Sequence, residues 1–153
     1  SESEANVMTA ALCGTYNPSI DRKGRMSFPN KLREILGPEF YLCIGHDNHY
    51  IAVYSPEEFE AYQSKLYTIP GQTGSNIRRK LLACADKQTP DKQGRIFIAQ
   101  NLRDHAGINT DDKEVIVIGA SNRAEIWDKA TWEKFNNDIT IEDINAALDD
   151  IVL

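Results

Sequence analysis

One five-residue pattern occurs twice in this chain, as Asp21-Arg22-Lys23-Gly24-Arg25 and as Asp91-Lys92-Gln93-Gly94-Arg95, 70 positions apart. The register continues beyond the pattern: Leu32, Arg33 and Gly37 return as Leu102, Arg103 and Gly107 at the same offset. Further on, Cys43-Ile44-Gly45 matches Val117-Ile118-Gly119 at offset 74, and Tyr54-Ser55 matches Trp127-Asp128 at offset 73. A drift of a few residues is what loop-length changes between two copies of one unit would produce. With 153 residues in all, two units of roughly 50 residues are each too small to bury a sufficient core, so they are expected to share one.

The pattern has a physical reading at each position. An aspartate opening a turn accepts backbone N–H bonds from residues two positions on, and glycine supplies the positive φ that a tight turn requires. Asp21, Gly24, Asp91 and Gly94 are therefore read as turn-formers. Arg25 and Arg95 follow the glycine at the start of the returning strand, with Arg22, Lys23 and Lys92 beside them. A planar guanidinium suits bidentate contact with phosphate or with guanine N7 and O6. These five cations are read as DNA-binding residues, set against a purely structural role as partners of the aspartates.

The net charge of −6 argues at first against a nucleic-acid partner. The charge is segregated, however. Residues 21–34 carry five cations and two acids, and residues 76–95 carry six and two, so both stretches around the pattern are basic. The acids gather elsewhere, at Glu57, Glu58 and Glu60 and from Asp138 to Asp150. The three cysteines, Cys13, Cys43 and Cys84, fit neither a disulfide framework nor a paired-ligand zinc site and read as small hydrophobes in a reducing compartment. No apolar run approaches the ~18 to 20 residues of a membrane span, and neither a basic leader nor a cofactor motif is present. A soluble cytoplasmic protein without cofactor or metal is expected.

The coarse layout follows from periodicity. Residues 1–12 read as a disordered arm or an expression remnant. The first unit, 13–66, runs as a short strand at Thr15, the turn, a strand with Met26 and Phe28 on one face, a helix opened by Pro29, a hairpin over 40–54, and a helix capped by Ser55 with Phe59, Tyr62 and Leu66 inward. Residues 67–87 read as a linker, with Pro70, Gly71 and Gly74, and then a short basic helix from Ile77 capped by Ser75 or Asn76. The second unit, 88–136, retraces the first, with a hairpin over 114–118 and 124–127, and with Trp132 and Phe135 inward on its last helix. The tail, 137–153, is acidic and places Ile141, Ile144, Leu148 and Ile151 at helical spacing, so it either docks on a partner subunit or frays.

Asp21 to Pro29, DRKGRMSFP, followed by KLREILG, resembles the signature of the AbrB-like swapped-hairpin barrels, D-x-x-G-R followed by apolar-x-apolar-P and, four residues later, R. The duplication, with GTYNPSIDRKGR at the front and VIVIGASNRAEIWD near the end, is similar to the MraZ family over Gly14 to about Phe135. The resemblance implies an α+β fold in which two repeats complete one swapped-hairpin barrel flanked by short helices. It also implies a bacterial transcriptional regulator, a repressor of the division and cell-wall gene cluster and of its own gene. Such regulators bind tandem promoter repeats in double-stranded DNA as a ring-shaped homo-oligomer at the nucleoid. The second copy departs from the pattern at Ala99, where the first has Pro29, which weakens its helix start. Arg33 and Arg103 also match, and their role stays open between joining the cationic face and pairing with carboxylates.

Two other classes compete. An enzyme needs a nucleophile with a base, paired carboxylates or a metal cluster. His46, Asp47 and His49 come closest, but the second copy has Ala120, Ser121 and Arg123 there, and a polar hairpin turn accounts for them. An antitoxin of the AbrB/MazE type, or a protein-interaction module, draws support from the acidic tail, but such chains usually carry the motif once. A stoichiometric small partner would favour the antitoxin, and a salt-sensitive shift of a tandem-repeat promoter fragment the regulator.

Overall fold

In the computed structural model, which describes residues 10–111 and 114–151, the two repeats exchange strands. Each repeat contributes a short leading strand, β1 (Thr15–Tyr16) or β5 (Asp86–Gln88), and a hairpin, β3 (Phe40–Ile44) with β4 (Ile51–Tyr54) or β7 (Val115–Gly119) with β8 (Ala124–Asp128). The leading strand of one repeat pairs with the hairpin of the other: Thr15 faces Ile118, and Leu42 faces Asp86. The two hairpins meet at the centre through β4 and β8, where Ile51 faces Ile126. The result is a six-stranded antiparallel sheet in the order β1-β7-β8-β4-β3-β5, which reads the same from either end once the repeats are interchanged.

The strands that follow the motif turns, β2 (Arg25–Ser27) and β6 (Arg95–Phe97), leave this sheet and pair with each other as an antiparallel ribbon. The expectation of a closed barrel is thereby corrected. The repeats interlock, but the six-stranded ladder stays open, and the two-stranded ribbon is tied back to it through the segment before the first turn, where Ser19 bridges Glu114 beside β7 and Ile20 bridges Met26 of β2.

Both faces of the sheet are covered, and the central strands show it. Along β4, Ile51 and Val53 point to one core and Ala52 and Tyr54 to the other, and all four are buried, as alternation across a doubly covered strand requires. The first core is closed by the ribbon, through Met26 and Ile96, and by α1 (Asn30–Leu36) and α4 (Gln100–Ala106), through Leu32, Leu36, Leu102 and Ala106. The second holds Tyr54, Phe59 and Trp127 and is covered by α2 (Pro56–Leu66), α3 (Gly71–Ala83) and α5 (Lys129–Asp138).

Local chemistry sets the helix ends. Pro29 and Ala99 occupy the same N-cap position with similar backbone angles, and α1 and α4 are each seven residues long. Ala99 therefore does not shorten its helix, since the carbonyls of both residues accept the first two helical N–H bonds. The Ser55 hydroxyl accepts from Glu58 N at 3.2 Å and the Asp128 carboxylate from Thr131 N at 3.1 Å, capping α2 and α5.

Several boundaries differ from the sequence reading. The helix after the linker begins at Gly71, several residues before the expected cap. Gly74 lets its first turn rest against the Ile69 carbonyl, where any side chain would collide. Leu12 is a fixed part of the fold and not an arm: it is buried and exchanges backbone bonds with Ser121. The disorder expected for residues 1–9 lies outside the described residues. Phe135, expected inward, packs its ring against the buried Trp127 and against Trp132, with centroids 5.1 and 5.7 Å away, while its outer side stays 37% exposed. The tail forms α6 (Ile141–Leu148) under a Thr140/Asp143 capping box. Among the described residues, no helix is long and apolar enough to cross a membrane.

Candidate nucleic-acid interface

Each motif folds into the same turn. One Asp21 carboxylate oxygen accepts from the N–H groups of Lys23 and Arg25, both at 2.9 Å, and the other accepts from Arg25 Nε at 2.9 Å. The Asp91 carboxylate does the same with Gln93 N, Arg95 N and Arg95 Nε, at 2.9, 2.9 and 3.0 Å. Gly24 and Gly94 sit at φ +88° and +79°, in the region that favours glycine, and donate back to the Asp21 and Asp91 carbonyls. The Arg25 backbone amide, then its side chain and the Lys23 amide, hold the Asp21 carboxyl below its ordinary value, and Asp91 repeats the effect. Both carboxylates thus stay charged and fix their arginines.

The turns are stitched across the repeats. Phe28 N donates to the Gly94 carbonyl at 2.9 Å, and Ile98 N to the Gly24 carbonyl at 2.8 Å. In the ribbon, Arg25 faces Phe97 and Ser27 faces Arg95. Met26 and Ile96 point into the core, so Arg25, Ser27, Arg95 and Phe97 share the outward face. The two arginines stand two residues apart along the ribbon, about 7 Å at ~3.4 Å per residue, and line one cleft of about 380 Å³ with Asp21. Each arginine reaches its aspartate through Nε, and the arginine side chains stay 42% and 39% exposed. Arg22, Lys23 and Lys92 are exposed on the turns.

Two residues whose role the sequence left open are also here. The Arg33 guanidinium lies over Gly94, and Arg103 Nε lies over Gly24 while donating to the Ile98 carbonyl at 3.0 Å. Each arginine therefore crosses to the other repeat's turn. Phe97 was missed by sequence reasoning. It stands 45% exposed opposite Arg25, and the only signal for it was strand alternation placing it where the first copy has Ser27.

The basic residues 76–95 separate on folding. Arg78, Arg79 and Lys80 belong to α3, on the face of the sheet opposite the ribbon. Arg78 lies over the Tyr67 ring and donates to the Leu66 carbonyl, and Lys87 pairs with Glu39 at 3.2 Å. The local excess counted along the chain therefore overstates the charge beside the second turn. What remains at the ribbon is Arg22, Lys23, Arg25, Arg33, Lys92, Arg95 and Arg103 against Asp21 and Asp91, a balance of +5 in a chain of −6. An antiparallel two-stranded ribbon has the width to enter the major groove of B-DNA, and a patch of this sign attracts phosphates against an acidic remainder.

The residues weighed for catalysis are engaged otherwise. The His46 ring stacks on Tyr62, the His49 ring tilts against His105, and Asp47 accepts from the Tyr50 hydroxyl at 2.5 Å. Burial pushes the Cys43 thiol up to about 12, where a thiolate nucleophile is out of reach. Among the described residues, no group of three or more His, Cys, Asp or Glu side chains is placed to hold a metal.

The family model described as "MraZ protein, putative antitoxin-like" matches the chain twice, over residues 11–76 and 81–152. Among curated relatives, the Transcriptional regulator MraZ of Thermoanaerobacter sp. (strain X514) is 45% identical over 144 residues, covering 92% of this chain and 98% of the relative. The protein of the same name from Acetivibrio thermocellus is 44% identical over 128 residues, 82% of this chain and 86% of its own length. That of Leifsonia xyli subsp. xyli is 38% identical over 124 residues, 80% and 84% of the two chains. With both repeats matched and relatives aligned along nearly their whole length, the chain belongs to the MraZ family.

Proposed function

We propose that this chain is a DNA-binding transcriptional regulator, not an enzyme, that engages double-stranded DNA through the β2–β6 ribbon and its two turns. Arg25 and Arg95 contact base edges or phosphates from the outward face, and Arg22, Lys23 and Lys92 contact phosphates. Asp21, Gly24, Asp91 and Gly94 hold the turns that present them. The observation that supports this most is the +5 ribbon, built from both repeats, in an otherwise acidic chain. The target is a set of tandem promoter repeats upstream of division and cell-wall genes and of the protein's own gene. Several copies engage these repeats as a ring at the nucleoid, and repression is the outcome.

The test is a titration of a tandem-repeat promoter fragment by fluorescence anisotropy across a salt series. Affinity falls linearly on a log–log salt plot, with a slope of about −0.9 per phosphate neutralised. Arg25→Ala weakens specific binding by about 1–3 kcal/mol per engaged ribbon, with the assembly mass unchanged. Wild-type affinity in Arg25→Ala and Arg95→Ala together removes the arginines from the interface. The antitoxin reading draws on the wording of the family description and the exposed, acidic tail. It is favoured if the protein recovered from its native host carries a stoichiometric small partner and the promoter fragment is not shifted.

A further inference from the structure

The ribbon is built almost symmetrically, and its departure from symmetry lies on the outward face. Interchanging the repeats carries Arg25 to Arg95 and Met26 to Ile96, about an axis through the Met26–Ile96 pair. The same operation carries Ser27 to Phe97. One diagonal of the outward face therefore holds two arginines, and the other holds a hydroxyl and a phenyl ring. The two ends of the ribbon differ accordingly: Phe97 faces Arg25 beside the first turn, and Ser27 faces Arg95 beside the second.

Phe97 is held where it stands. Its ring lies over the first turn, with Cε2 3.2 Å from where a Cβ on Gly24 would sit. Its N–H donates to Gln88 Oε1 at 3.1 Å, and the first repeat has Pro18 in the place of that glutamine. Ile96 and Ile98 on either side are buried, so strand alternation turns the ring outward, where it stays 45% exposed. Packing on the turn accounts for the covered side of the ring and not for its open edge. An aromatic edge that is already ordered loses little freedom when it meets a ligand.

Such an edge suits one base. Guanine, adenine and cytosine present hydrogen-bonding groups in the major groove, which a phenyl edge would cover and leave unpaired. Thymine presents its C5-methyl group there, an apolar surface that a phenyl ring matches. The Cβ atoms of facing residues lie about 4.5–5.5 Å apart across a ribbon, and successive base pairs lie about 3.4 Å apart. Phe97 thus reaches a base one or two steps from the contact of Arg25.

We infer that Phe97 is a specificity-determining residue that packs on the C5-methyl group of a thymine beside the contact of Arg25. With Ser27 in the matching place, the ribbon reads for that methyl group on one side only, which gives the complex a polarity that the two arginines alone would not. This inference rests on the DNA-binding reading of the ribbon and names a base that it selects.

The test is selection of bound duplexes from a random double-stranded pool by wild type and by Phe97→Ser. Anisotropy titrations then follow on the duplex selected by wild type, with each thymine replaced in turn by deoxyuridine, which lacks only the methyl group. Wild type is expected to show one position per bound ribbon at which deoxyuridine weakens binding about three- to fivefold, the effect of one buried methyl group. Phe97→Ser is expected to lose the thymine preference at that position, to bind both duplexes equally, and to keep the rest of the selected sequence. The deoxyuridine scan of wild type needs no variant to fold. No effect of deoxyuridine at any position, or equal effects at both ends of the site, overturns the inference while leaving the ribbon as the DNA-binding surface. A uniform loss of affinity in Phe97→Ser with the thymine preference retained makes the ring a support for the turn and also overturns it. A wild type that enriches no sequence overturns the reading on which it rests.

Discussion

Replacing the two motif glycines by alanine separates backbone geometry from mere sequence matching. Both residues have positive φ, so alanine at either costs about 1–2 kcal/mol for the left-handed conformation alone. Their surroundings differ. A Cβ on Gly94 would lie 2.7 Å from Arg33 Nη1, the far end of a flexible side chain that can swing aside. A Cβ on Gly24 would lie 2.9 Å from the Ile98 carbonyl oxygen. That carbonyl is pinned by Arg103 Nε at 3.0 Å, and Ile98 N is bonded to the Gly24 carbonyl at 2.8 Å. Relief requires the turn to shift against the ribbon, which weakens at least one hydrogen bond worth about 0.5–1.5 kcal/mol.

Gly94→Ala is therefore expected to cost about 1–2 kcal/mol and Gly24→Ala about 1.5–3.5 kcal/mol, the difference being the weakened hydrogen bond. At about 2–4 °C per kcal/mol for a chain of this size, a difference of about 0.5–1.5 kcal/mol separates the two melting temperatures by about 1–6 °C. Urea titrations at one fixed protein concentration give the comparison, because assembly contributes to apparent stability. The reasoning is refuted if Gly94→Ala is the more destabilising of the two, or if both lie within about 0.5 kcal/mol of wild type, the range of ordinary surface changes.

Two further outcomes follow from buried charge. Arg123 pairs through Nε and Nη2 at 2.8 and 2.7 Å with the buried Glu125, whose other oxygen accepts from Trp127 Nε1 at 3.0 Å. Arg123→Ala strands that carboxylate and is expected to cost about 2–4 kcal/mol, at or below the range for breaking a buried pair because the arginine is partly exposed. The same change in a Glu125→Gln background should cost far less, and a double-mutant cycle in urea reads the difference. His105 is half-buried, donates Nε2–H to the Gly45 carbonyl at 3.1 Å, and is held below its ordinary value first by burial. The unfolded chain therefore takes up the proton first, so stability falls as pH drops below about 6.5. A urea midpoint that declines from pH 7.5 to 5.5 in wild type and declines less in His105→Gln is the expected result. An identical decline in the two proteins would remove His105 as its source.

The elements were legible wherever the governing interaction is local. The stripe of Leu32 and Leu36, the Ser55 cap, and the aspartate–glycine turns follow from side-chain periodicity and from hydrogen bonds spanning two to four residues. Less legible were features that depend on what lies across the molecule. The start of α3 at Gly71 depends on Gly74 meeting the Ile69 backbone, and the outer side of Phe135 stays exposed although its ring packs on Trp127. The role of Arg33 and Arg103 was undecidable from helix position alone, because the turn that each one reaches belongs to the other repeat.

The sequence by itself determined that there are two copies of one unit, that each contains a glycine turn held by an aspartate, and that cations follow each turn. These are consequences of residue identity at short range, where backbone sterics and adjacent charges leave few alternatives. Tertiary structure decided which strand pairs with which, and through that which charges meet. Strand pairing between residues tens of positions apart is set by the fit of whole faces and not by any local preference. Only that pairing places Arg25 and Arg95 on one ribbon and carries Arg78, Arg79 and Lys80 to the far side of the sheet, so the cationic surface belongs to the fold and not to either repeat alone.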